Sequence, residues 1–145
     1  MSDRMPYMAA NWKMHKTVAE AEAFFADFLP RVGDAEGVDI VVCPPYLALT
    51  AAVDACAGSS VRIAAQNMHE EESGAFTGEV SAPMLNEIGV DAVVLGHSER
   101  RTYFAESDAA LANKVPAAPA ADHRPERGVR APRTAGEAGK IRSVL

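Results

Sequence analysis

Four short apolar runs, each followed by a helix signal, constrain this chain more than any other feature. They span residues 7–12, 38–43, 61–66 and 90–95. The runs are nearly continuous in apolar residues, as expected of strands covered on both faces. Pro44-Pro45 stops the second. Thr17 is placed to N-cap the first helix, with Glu20 three residues on completing a capping box. From Val18 the residues Ala21, Phe24, Phe25, Phe28 and Val32 recur at helical spacing, until Pro30 and Gly33 disturb or close the helix. A second helix is predicted over about 46–57, ending at Gly58. Ser81-Ala82-Pro83 opens a short third, with proline near its first turn. Helical material then runs from Ser98 to about Val115, interrupted near residues 106–108. Strand and helix alternating four times predict an α/β fold with a parallel sheet and right-handed crossovers.

Polar residues gather just after the strand ends: Asn11 and Lys13, then Gln66 and Asn67, then His97 and Glu99. In a parallel α/β fold those ends share one rim, where ligands bind. His97 follows Val93-Val94-Leu95-Gly96 and precedes Ser98-Glu99-Arg100-Arg101, so an imidazole stands at a strand's carboxyl end and beside a helix start. Backbone N–H groups there disfavour the imidazolium. A neutral histidine so placed can polarise a carbonyl, although a lone histidine can also simply cap a turn. The segment 67–79, with Gly74, Gly78 and three consecutive glutamates, is a long polar loop of the kind that usually carries function. The chain has neither GxGxxG after its first strand nor GxxxxGK[ST], the dinucleotide and P-loop fingerprints.

Charge narrows the partners. Residues 1–115 hold 8 basic and 17 acidic residues, and residues 116–145 hold 6 basic and 3 acidic, within a net charge of −6 over 145 residues. An acidic body argues against nucleic acid, which needs a basic face. Cys43 and Cys56 form no CxxC motif and read as buried thiols. No apolar run nears the ~20 residues of a membrane span, and the first residues lack a signal-peptide core, so a cytoplasmic protein is expected. Prolines at 116, 119, 125 and 132 alternate with arginines at 124, 127, 130 and 133. The expected organisation is therefore a domain over 1–115 and an irregular Pro/Arg-rich tail over 116–145.

Five segments together resemble the triosephosphate isomerase family, in its order and at its spacing. They are Ala10-Asn11-Trp12-Lys13-Met14, Cys43-Pro44-Pro45, Ala65-Gln66-Asn67, Gly74-Ala75-Phe76-Thr77-Gly78-Glu79 and Leu95-Gly96-His97-Ser98-Glu99-Arg100-Arg101. The resemblance covers roughly residues 5–115. It implies the first four βα units of a TIM (β/α)8 barrel. It also implies interconversion of dihydroxyacetone phosphate and D-glyceraldehyde 3-phosphate through an enediolate, a step of glycolysis and gluconeogenesis that uses no cofactor or metal. Carried over by motif, Asn11 and Lys13 would bind the triose phosphate. His97 would be the neutral electrophile, supported by Ser98 and Glu99. Arg100 and Glu106 would be structural ion-pair partners. The loop 67–79 would be the dimer loop, its Thr77 reaching the partner's site in the homodimer expected for the family.

A whole barrel of this kind takes about 250 residues. The family's carboxylate base, mobile lid and Gly-rich phosphate site lie in its later half and have no counterpart in these 145 residues. The chain alone is therefore expected to polarise a carbonyl but not to abstract the proton efficiently. Four open strands should also leave sheet edges and barrel-facing side chains uncovered. The arginine- and proline-rich stretch 119–135 stands where the family continues with a helix and a fifth strand, so a reading-frame disturbance followed by truncation is expected there. The reading from another class is a non-catalytic fragment or oligomerising module that uses loop 67–79.

Overall fold

The computed structural model describes residues 5–32 and 35–118. Four parallel strands, β1 (Tyr7–Asn11), β2 (Asp39–Cys43), β3 (Arg62–Ala65) and β4 (Ala92–Val93), lie in sequence order. Ala9 pairs with Val41, Val41 with Arg62, and Ala64 with Ala92. Helices α1 (Val18–Val32), α2 (Leu49–Ala55), α3 (Ala82–Glu87), α4 (Ser98–Tyr103) and α5 (Asp108–Ala117) supply the connections. This is the run of βα units of an incomplete barrel that the alternating pattern predicts.

Helix α1 forms where its cap and stripe place it. The Glu20 backbone N–H donates to Thr17 Oγ1 at 3.3 Å, and the Thr17 N–H donates to Glu20 Oε2 at 2.7 Å. Its apolar stripe brings Phe25 to full burial, which stabilises the fold by roughly 1.5–3 kcal/mol. Phe24 meets Trp12 edge-on with centroids 4.9 Å apart and stacks on Phe28. One face of the sheet, through Val42, Ile63 and Ala65, packs with Phe25, Leu49, Met68 and Leu85 into the main core. The opposite face gathers Val41, Cys43, Ala64 and Val94.

That second face corrects one expectation. Its four central side chains are buried, whereas Tyr7 and Met8 on the free edge of β1 are about half exposed, at 49% and 50%. Val41, Cys43 and Ala64 have strand neighbours on both sides, whereas Tyr7 and Met8 have one, on β2.

Three further differences are local. The fourth strand is two residues long instead of six, pairing with β3 at Ala64–Ala92 and Ala65–Val93. Backbone pairing still reaches a residue beyond each end, Asp91 N to Ile63 O and Val94 N to Ala65 O, both 2.8 Å. The second helix is split into a 3₁₀ turn, Tyr46–Ala48, and α2. Helix α5 continues through Pro116 to Ala117, into the first residues of the irregular tail expected over 116–145; the rest of that tail, from residue 119, lies outside the described residues.

Candidate functional site

Asn11 closes β1, and its Oδ1 accepts the Lys13 backbone N–H at 2.9 Å. Trp12 N donates to Cys43 O at 3.0 Å, extending the sheet by one bond. Lys13 then turns the chain at a φ of +55°, a left-handed conformation that costs a residue with a Cβ. The Gln66 side-chain amide holds that turn, donating to Lys13 O and to Cys43 O, each at 2.8 Å. Three strand ends are thus tied together, and the Lys13 side chain is aimed along the rim.

His97 is the N-cap of α4, and its Nδ1 accepts the Glu99 backbone N–H at 3.2 Å. A nitrogen that accepts carries no proton, so the neutral ring has its hydrogen on Nε2, free to donate. The 3.7 Å approach of a Glu99 carboxylate oxygen to Nδ1 is accordingly a neighbour contact and not an ion pair. Glu99 is paired elsewhere: its Oε1 lies 2.7 Å from Lys13 Nζ. The hydrogen bond from Lys13, with its charge, holds the Glu99 carboxyl below the usual carboxylate range.

Asn11, Lys13, His97 and Glu99 therefore converge as the strand-end pattern implies. Ser98 is the exposed first residue of α4, and Thr77 is exposed on loop 67–79. The loop is internally built: His69 N donates to Val80 O at 2.8 Å, and the His69 ring lies 4.0 Å from that of Phe76. Cys43, beside Gln66, stays a thiol, its pKa pushed up to about 12 by burial. Among the described residues no three of His, Cys, Asp and Glu converge as metal ligands, and no helix is long and apolar enough to cross a membrane.

Sequence reasoning missed one residue outright. Lys114 is buried, its Nζ 2.6 Å from Glu106 Oε1 and 3.0 Å from Asn67 Oδ1. Arg100, the expected partner of Glu106, stands farther off at 3.6 Å. The spacing of Glu106 and Lys114, eight residues across a helix break, carries no periodic signal. A rim asparagine following a strand, Asn67, was the one available hint. An ammonium, an imidazole that donates from Nε2 and a side-chain amide on one rim can bind an anion and stabilise negative charge growing on a carbonyl oxygen.

The family model described as triosephosphate isomerase matches residues 6–145. The triosephosphate isomerase of Solibacter usitatus is 54% identical over 115 residues, covering 79% of this chain and 46% of that protein. That of Symbiobacterium thermophilum is 56% identical over 115 residues, covering 79% and 45%. The crystal structure of triosephosphate isomerase from Bartonella henselae superposes with a TM-score of 0.75 at 37% identity, over 81% of this chain and 48% of that one. The chain spans about half the length of the curated relatives it matches.

Proposed function

From the premise that this chain belongs to the triosephosphate isomerase family, we propose that it supplies the electrophilic half of a triose phosphate isomerase site. His97 Nε2–H donates to the substrate's carbonyl oxygens, and the Lys13 ammonium neutralises the phosphate and the developing enediolate oxygen, with Asn11 on the same substrate. Ser98 and Glu99 support them, Glu99 by holding Lys13. A carboxylate takes the carbon-bound proton and returns it to the neighbouring carbon, interconverting dihydroxyacetone phosphate and glyceraldehyde 3-phosphate without cofactor or metal. That base belongs to the later half of the family's barrel. Thr77 and its loop meet a second subunit in a homodimer, in a cytoplasmic, glycolytic setting.

The observation that carries this reading is the His97 tautomer, set by the Glu99 N–H to Nδ1 bond, beside the Lys13–Glu99 pair. A hybrid tests it: residues 1–118 of this chain joined to the remaining half of the Solibacter usitatus relative. The hybrid should isomerise triose phosphates, and His97→Gln should lower kcat by about 10²-fold or more, as loss of an oxyanion donor does. A folded hybrid without turnover, or one whose turnover survives both His97→Gln and Lys13→Met, would overturn it.

A further inference from the structure

The Lys114–Glu106 pair is the most deeply buried charge in the described residues, and nothing in the proposed chemistry uses it. Lys114 is 6% and Glu106 8% exposed. Burying an ion pair is costly and is seldom a net source of stability, so its connections are more informative than its energy.

Those connections close a ring. Lys114 Nζ donates to Asn67 Oδ1, and the Asn67 carbonyl accepts the Tyr46 hydroxyl at 2.6 Å. Asn67 follows Gln66, whose amide holds the Lys13 carbonyl. On its other side Lys114 donates to Glu106 Oε1. The Glu106 backbone N–H donates to Arg100 O at 3.2 Å, just past the residues of α4 that carry Glu99. Glu99 then returns to Lys13 at 2.7 Å. The circuit therefore encloses the root of loop 67–79, the last turn of α5, the helix that His97 caps and the turn that carries Lys13.

We infer that Lys114 is a positioning residue for the rim, its buried ammonium fixing the separation between the Gln66–Asn67 strand end and α4 so that Lys13 meets Glu99 beside His97. This inference rests on the isomerase reading for its purpose but not for its geometry.

The test avoids turnover, so it stands or fails apart from that reading. In the full chain, the carboxyl of Glu99 is titrated by NMR in the parent, in Lys114→Met/Glu106→Leu, and in Leu85→Ala. The double variant removes both buried charges together, leaving neither unpaired. The core variant is a control for general loosening, since Leu85 lies outside the ring. The Glu99 pKa should rise to the ordinary glutamate range in the double variant, because its Lys13 partner is no longer held, and should stay low in Leu85→Ala. Should the double variant not fold, Asn67→Ala opens the ring elsewhere with the charge pair intact and must give the same rise. An unchanged Glu99 titration with the ring opened, or an equal rise in Leu85→Ala, would overturn the assignment.

Discussion

Gly96 is the residue on which the placement of His97 turns. Its φ is +75°, and a Cβ built there would lie 3.1 Å from Leu111 Cδ1, so alanine meets both a left-handed backbone and a crowded neighbour. Left-handed backbone costs an L-residue roughly 1–2 kcal/mol. Gly96→Ala should lower the unfolding free energy by that amount, read as a fall in the urea midpoint with an unchanged slope, and an unaltered midpoint would show that the turn relaxes freely. At this scale Asn11, Lys13, His97 and Glu99 were legible because strand ends of a parallel sheet share a rim. Lys114 was not. A lone lysine in an alanine-rich helix reads as solvated, and only its approach to Asn67, 47 residues away, reveals otherwise.

Among the elements, α1 was the most legible because its signals are local. Thr17 and Glu20 satisfy each other's backbone N–H groups, and the aromatic stripe lies on one face. Thr17→Ala should cost about 1 kcal/mol, read as a fall in thermal midpoint. Glu20 adds a pH dependence. The hydrogen bonds from the Thr17 N–H and hydroxyl, more than nearby Lys16, hold its carboxyl below the usual range. A lowered folded-state pKa gives stability that is fully present above the unfolded value of about 4.3 and lost as pH falls through the folded value. Parent and Glu20→Gln should therefore differ in thermal midpoint at neutral pH and converge on the acid side. A gap that persists in acid would assign the effect to shape and not to charge. The fourth strand was legible as an apolar run but not in its length. The length of the ladder is a tertiary feature: Ala92 and Val93 are the residues of that run that pair with β3. The split of the second helix was not legible either: Tyr46, in its 3₁₀ turn, bonds to Asn67, a tertiary partner that no local pattern encodes.

For the whole molecule, the apolar side chains left outside the core are informative by position. Met14, Leu47 and Phe76 lie on the segments that leave β1, β2 and β3, and parallel strands put those exits on one rim. Met14 is 93% and Leu47 89% exposed, a level at which large apolar side chains clustered on a rim mark a contact surface. The homodimer proposed through Thr77 would cover the same rim. Charge opposes it, since the first 115 residues carry more than twice as many acidic as basic groups. Salt screens that repulsion over about 8–10 Å, so self-association measured by sedimentation should strengthen with added salt. Burying one leucine contributes roughly 1.5–3 kcal/mol, and about 1.4 kcal/mol is tenfold in affinity. Leu47→Glu should therefore weaken the dimer by about tenfold or more, whereas Met5→Glu should leave it unchanged, because Met5 is exposed at the opposite end of β1. Equal effects at the two positions would mean that association is non-specific, and the rim would lose its claim to be the interface.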